Sequence, residues 1–317
     1  MKIQILTTGG TFECADNNGA IDITRKNSWL DAVADEYNKR NGASHEFDIL
    51  PLMKILSENL TAANLSILAK YLLSLDFSQY DGFIITCGSD TLAYIASFVG
   101  LLACRFDKVI SIVAANYPMG HPDSNGYDNF ECAVRLIETM PDGVYVPYRN
   151  LRDGMLIHSA TDIMQAERGV DFYSYHGKYI SLGSKENYIR QTIPDIFDNR
   201  NVPIVFENVM LIRPYALMDY KSFDLNGKRA VLHTLYHSNT LDSAGAISLM
   251  KHLGYIWPTP MFLLADKDKD GAYRSFTDVV NAGAIPLYDI SPECAYMKLV
   301  LACSQYQMKV REFMEEA

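Results

Sequence analysis

What most limits the fold is a repeated alternation of short, mostly apolar runs with helix-length segments that carry one apolar face. Ile3–Thr7, Phe83-Ile84-Ile85-Thr86 and Val109–Val113 read as strands buried on both faces. Between them, Thr61 can cap a helix with Leu65, Leu68, Ala69 and Leu72 on one side. Thr91 to Cys104 carries Leu92, Ile95, Phe98, Val99 and Leu102 at helical spacing. Ala133 to Met140 reads as a further helix, and Gly143 introduces the strand Val144–Pro147. Strands alternating with helices predict a mostly parallel sheet covered on both faces.

Ser184 to Asn201, polar and containing Pro194, breaks the rhythm, which then restarts on a smaller scale. Val209–Ile212 and Ala230–Thr234 read as strands, Ser243–Leu253 as a helix, and Met261–Leu264 as a strand. Phe276–Asn281 reads as a short helix, and one long final helix follows from Ile290. The expectation is an α/β protein with a larger N-terminal domain over 1–183, a linker over 184–205 and a smaller α/β domain over 206–317. A length of 317 residues suits two domains better than one core.

With 49% hydrophobic and 21% charged residues, long disorder is excluded. A formal net charge of −10 argues against nucleic acid or an anionic membrane as partner, while leaving small molecules open. No apolar run reaches the ~18–20 residues that cross a bilayer. Met1 to Leu6, followed at once by Thr-Thr-Gly-Gly, reads as a first strand and not as a signal peptide. Six scattered cysteines without a C-x-x-C pair, such as Cys104 and Cys303 beside alanines, suggest reduced core thiols and a cytoplasmic location.

Two segments can carry chemistry. Thr7-Thr8-Gly9-Gly10-Thr11 follows the first strand, and Thr86-Cys87-Gly88-Ser89-Asp90-Thr91 lies between a strand and a helix. Ligands of open parallel sheets bind beyond the carboxyl ends of the strands. Ser89 can handle a proton or hydroxyl, and Asp90 can accept from an ammonium, its charge favoured by about 0.3–1 kcal/mol at a helix N-terminus. A glycine turn and a Ser/Asp cap are the plain structural alternatives. Asp266 to Gly271 resembles the start of a calcium loop, but Thr277 stands where the twelfth-position Glu is needed, so an exposed polar turn is expected. His233 and His237 fall on a strand and its following turn, not on one helix face. No metal and no cofactor is expected.

Taken together, the two segments resemble the bacterial-type L-asparaginase family, of which this chain looks like a divergent member. The T-G-G-T motif is matched by Thr8-Gly9-Gly10-Thr11. H-G-T-D-T is matched by Cys87-Gly88-Ser89-Asp90-Thr91, with Cys for His and Ser for Thr. Pro51-Leu52-Met53 and Ser57-Glu58-Asn59-Leu60-Thr61 resemble the family's substrate loop with a two-residue insertion, and Leu92-Ala93-Tyr94 with Ala96-Ser97 follows its helix pattern. Ala114 to Asn129 resembles the loop beyond, and Gly283-Ala284-Ile285 with Ser291-Pro292-Glu293-Cys294-Ala295 and Lys298-Leu299 resembles the C-terminal signature.

The resemblance implies a two-domain asparaginase-like fold with a flavodoxin-like N-terminal sheet, and hydrolysis of a small amino-acid-like amide with release of ammonia. It implies Thr11 as nucleophile, Ser89 and Asp90 as a second constellation, oxyanion donors around Gly10 and Gly88, and Ser57 and Asp90 on the substrate's carboxylate and ammonium. Glu58, where Gln or Ser is more usual, would favour a cationic group. A homodimer or homotetramer is implied, with Glu293 and Tyr236-His237-Ser238-Asn239 near the contact between copies. Two relay groups of the family are replaced: the loop Tyr position falls on Ala20, and the Lys before Thr161-Asp162 falls on Ile157 or His158. His158 is a possible relay, while Glu13 and Asp16 are expected as solvated loop acids. The alternative to an enzyme is a ligand-binding or regulatory protein on the same scaffold.

Overall fold

The computed structural model describes the chain except residues 18–19, 24–28, 104–105, 185–190, 194–204, 206, 257–258, 267–271, 305–309 and 316–317. The N-terminal half contains β1 (Lys2–Gly9), β2 (Cys14–Asn17), β3 (Ala20–Ile23), α1 (Trp29–Asn41), β4 (Glu46–Ile55), α2 (Ala62–Ser74), β5 (Gly82–Thr86) and α3 (Leu92–Leu102). It continues with β6 (Val109–Val113), α4 (Gly126–Thr139), β7 (Gly143–Asn150), β8 (Gly154–Ser159), β9 (Ile163–Met164) and β10 (Tyr173–Ser174). The C-terminal half contains β11 (Val209–Ile212), β12 (Ala230–Thr234), α5 (Ser243–Ile256), β13 (Met261–Leu264), α6 (Arg274–Asn281), β14 (Ile285–Leu287), α7 (Pro292–Ser304) and α8 (Val310–Glu315).

Period-two burial builds the larger sheet. Leu6, Phe83, Ile85, Ile110 and Ile112 face α2 and α3, whereas Ile3, Ile5, Ile84, Val109 and Val113 face α1 and α4. The strand order is β4-β1-β5-β6-β7-β8, parallel throughout except for the antiparallel edge β8. With the β2–β3 hairpin set aside, the parallel strands run second, first, third, fourth, fifth. That is the flavodoxin-like order, whose direction of winding reverses between β1 and β5. The second sheet, β11-β12-β13-β14, is wholly parallel. A helix apolar on every side must be enclosed. α3 is such a helix; α7, buried along its length although it carries Glu293 and Lys298, packs on it, so that Leu92 and Phe98 share one core with Phe262, Leu264 and Leu301. The fold is therefore two-domain α/β, with the domains joined through a continuous core.

Thr61 caps α2 as expected, in a capping box completed by the Asn64 side chain. The helix expected from Ala133 begins earlier, at Gly126. β4 and α1 have no counterpart in the sequence reading: β4 is a sheet edge whose residues are mostly part-exposed, so it presents no apolar run. Pro51-Leu52-Met53 lies within β4, and the substrate-loop segment shortens to the turn Ser57–Asn59. The final helix is two, α7 and α8, with 305–309 outside the described residues. Most of the linker is likewise outside them, but Ile193 and Val205 at its edges are buried, and Val205 N–H donates to Ser66 Oγ at 2.8 Å.

Cys14, Cys87, Cys132, Cys294 and Cys303 are buried free thiols, and Cys104 is outside the described residues. Burial pushes the Cys87 thiol up to about 12, which makes it a poor nucleophile. Residues 267–271, expected as a polar turn, lie outside the described residues, and His233 is buried against Tyr220 Oη at 2.8 Å. Among the described residues no helix is long and apolar enough to cross a membrane.

Candidate active site

Both glycine segments leave the sheet at the reversal between β1 and β5. Thr7 is in register with Thr86, and Thr8 Oγ1 donates to Thr86 O at 2.9 Å. Gly10 has φ +75, and a Cβ there would lie 2.3 Å from Gly88 N and 2.5 Å from Cys87 C. A Cβ on Gly88 would lie 2.5 Å from Ser57 Oγ. Three segments distant in sequence thus interlock, Gly10 on the main chain of Cys87 and Gly88, and Gly88 on the Ser57 side chain. This packing, as much as chain reversal, is why side chains are missing at positions 10 and 88. It also corrects one expectation: Gly10 N–H donates to Ile55 O at 3.0 Å, so it is committed to the fold and is no oxyanion donor.

Thr11 is half-buried. Its Oγ1 donates to Ala115 O at 2.7 Å and accepts from Ala115 N–H at 3.2 Å. The chain after β6 that supplies Ala115 is itself fixed. Asn129 Nδ2 donates to Ala114 O, and Asn116 and Asn125 exchange N–H to Oδ1 bonds, all at 2.9 Å. Across the reversal point, Ser89–Thr91 forms a single turn leading into α3. Ser57 Oγ donates to Asp90 Oδ2 at 3.1 Å. Ser89 and Asp90 open onto a cavity of about 690 Å³, together with Asn116, Tyr148 and Gln165. Glu58 does not join them: it is exposed and lines a separate cavity with Thr91 and Tyr94. Its charge stands beside the site, outside the cavity that Ser89 and Asp90 share.

Sequence reading missed Gln165. Its Nε2 donates to Ser89 O at 2.8 Å, and its Oε1 accepts from Ala93 N–H at 3.1 Å, which clamps the turn that carries Ser89 and Asp90. A lone Gln in a polar stretch gives no signal of this. Its own backbone N–H bonds the buried Glu293 carboxylate, whose pKa burial raises. Gln165→Leu, which keeps the volume but loses both bonds, is expected to cost about 1–3 kcal/mol in urea unfolding. Glu13 was expected as a solvated loop acid. It is buried and accepts from Thr7 Oγ1 at 2.9 Å. Of the Asp16 side chain nothing is described. Ala20, at the loop Tyr position, starts β3.

His158 is not a relay. β8 places it in the antiparallel edge, where its Nδ1 pairs with Ser174 Oγ at 2.9 Å and its ring meets Tyr179. Burial pushes the imidazole down to about 3, so it is neutral at physiological pH. Ile157 is buried too. The unfolded chain takes up a proton near His158's ordinary value of about 6.5, whereas the folded chain does so only near 3. This contribution to stability is complete above pH ~6.5 and is lost toward pH ~3, at no more than about 1.4 kcal/mol per pH unit. His158→Asn is expected to flatten the fall in urea midpoint between pH 7 and 5. Shared contributions, such as His233, whose pKa burial also lowers, cancel in the comparison.

Residues 2–174 match the family model "Asparaginase, N-terminal". Among curated relatives, the chain is 21% identical to a glutamyl-tRNA(Gln) amidotransferase subunit of Pyrobaculum aerophilum, covering 96% of this chain and 76% of that protein. It is 24% identical to the protein of the same name from Methanosarcina barkeri, covering 96% and 74%. Its fold matches the thermostable L-asparaginase from Thermococcus kodakarensis with a TM-score of 0.74 at 18% identity, covering 100% and 98% of the two chains. A probable cytoplasmic L-asparaginase from Campylobacter jejuni matches with a TM-score of 0.73 at 22% identity, covering 100% and 99%. With the family model spanning more than half of the chain, and with the strand-end geometry above, this protein belongs to the asparaginase family.

Proposed function

We propose that the chain hydrolyses the side-chain amide of asparagine or a related small amide, with Thr11 as nucleophile and release of ammonia. One observation carries the reading. The close approach of Gly10 to Gly88 joins the segment carrying Thr11 to the segment carrying Ser89 and Asp90 beyond the carboxyl ends of β1 and β5, at the winding reversal where open α/β sheets bind ligands. Thr11 Oγ1 turns from Ala115 O, its bond to the carboxamide carbon forms as the C–N bond breaks, and the departing nitrogen takes the proton, with the Ser89 hydroxyl at hand to pass it. Water then cleaves the acyl-enzyme. Asp90 accepts from the substrate ammonium, the Ser57 hydroxyl turns its proton from Asp90 to the substrate carboxylate, and Gly88 N–H is the remaining glycine donor to the oxyanion. A free small amide suits a net charge of −10 better than the charged tRNA named for the curated relatives. A homodimer or homotetramer in the cytoplasm belongs to the same proposal. Ammonia release from a panel of asparagine, glutamine and their derivatives, abolished by Thr11→Ala, is the expected result. No Thr11-dependent release from any of them overturns the proposal.

A second reading, a ligand-binding or regulatory protein, draws support from Thr11 itself, whose hydroxyl is bonded in both directions to the Ala115 main chain. Under this reading an amino acid raises the melting temperature without turnover.

A further inference from the structure

Next to Ser89 and Asp90, the cavity of about 690 Å³ runs out over two surface turns. One joins β7 to β8 and carries Arg152. The other is the tight turn of Glu167 to Val170, whose main chains exchange hydrogen bonds of 3.1 and 2.9 Å; it carries Arg168, with Gly169 at φ +81. Three hydrogen bonds, each 2.8 Å, latch the turns into one platform: Asn150 Nδ2 to Phe172 O, Leu151 N–H to Asp171 Oδ2, and Tyr173 Oη to Asp153 Oδ2. The latch engages the carboxylates of Asp153 and Asp171. Besides Asp171, the cavity's acids are Asp90, which holds Ser57 Oγ, and Glu167, which stands 3.8 Å from Arg213. Arg152 and Arg168 both line the cavity and are exposed, and among the described residues neither has an ion pair or hydrogen bond.

A free asparagine or glutamine fills only a fraction of such a space, since cavities of about 300–1,000 Å³ accommodate drug-sized ligands. Guanidinium groups match carboxylate and phosphate oxygens in paired geometry. We propose that the preferred substrate is a side-chain amide whose nitrogen carries a substituent ending in an anionic group, which Arg152 and Arg168 hold. For its reactive end this rests on the amide-hydrolase reading above. The chemistry needs only water besides the substrate. The Thr11 Oγ–carbon bond forms, the carbon–nitrogen bond breaks, and the amine leaves with the Thr11 proton and its anionic tail. Water then restores the Thr11 hydroxyl and frees the acid.

The test compares γ-glutamylglycine with γ-glutamylglycinamide, and the matching β-aspartyl pair; within each pair only the terminal carboxylate differs. Calorimetry on the Thr11→Ala protein measures binding without turnover. The expected result is that a carboxylate form binds at least about tenfold more tightly than its amide. R152Q/R168Q should erase that advantage and leave binding of the amide form unchanged. Equal affinity within both pairs, no binding by any conjugate, or an advantage that survives R152Q/R168Q overturns the proposal. Absence of turnover by the unsubstituted protein would instead sink the hydrolase reading, while the binding comparison still decides the anionic subsite.

Discussion

Gly10→Ala is expected to cost on the order of 2–5 kcal/mol of stability, combining an overpacking cost of ~1–3 kcal/mol with ~1–2 kcal/mol for a left-handed backbone. The first part arises because the new methyl meets main-chain atoms of Cys87 and Gly88 at 2.3–2.5 Å, and a main chain in a central strand end cannot swing aside. The second arises from φ +75. Gly154 supplies the control: its φ is +77, and nothing lies within 4 Å of a Cβ placed there. Gly154→Ala therefore carries only the left-handed cost. Gly88→Ala should fall between, because its Cβ meets Ser57 Cβ at 2.4 Å, but its φ of −86 carries no left-handed cost. Urea unfolding of the three variants ranks them 10, 88, 154. If Gly10→Ala is as mild as Gly154→Ala, the two motifs are not held together as described.

Thr11→Ala separates chemistry from scaffold. The hydroxyl's bonds with Ala115 are half-buried, so their loss is expected to cost only about 0.5–1.5 kcal/mol. Amide hydrolysis should fall on the order of 10³-fold or more, as it does when an acyl-transfer nucleophile is removed. Thr11→Ser keeps a hydroxyl at the same Cβ and is expected to retain measurable turnover. Unfolding midpoints and ammonia release from the same preparations check both halves. A Thr11→Ala protein that is fully active would remove Thr11 from the mechanism.

The legible parts of the fold were those with continuous, mostly buried apolar runs. Val109–Val113, Val209–Ile212, Ala230–Thr234 and Met261–Leu264 are strands at the bounds their apolar runs suggest. β4 escaped because an edge strand keeps polar residues along its length. The first half of α4 escaped for a different reason. Its Asn129 is buried to hold Ala114 O, so a polar residue stands on the inward face and breaks the apolar period. At the site, the two glycine segments were legible because close backbone approach demands glycine, which sequence records. The partners of Thr11 and of the Ser89 turn were not. Ala115 acts through its main chain, whatever its side chain, and Gln165 acts through bonds to carbonyl and amide groups that leave no trace in residue type. His158 looked available because it falls at the family's Lys position and an imidazole titrates near neutral pH, yet the antiparallel closure by β8 buries it.

The central claim is a covalent bond to Thr11 at the β1–β5 winding reversal. It is tested most directly by acid-quenching the protein during exposure to the amide panel, then locating any added mass by peptide mapping. The account expects the acyl group of the cleaved amide on the peptide containing Thr11, absent from Thr11→Ala. An adduct on another residue, or no adduct while an amide raises the melting temperature, would contradict it.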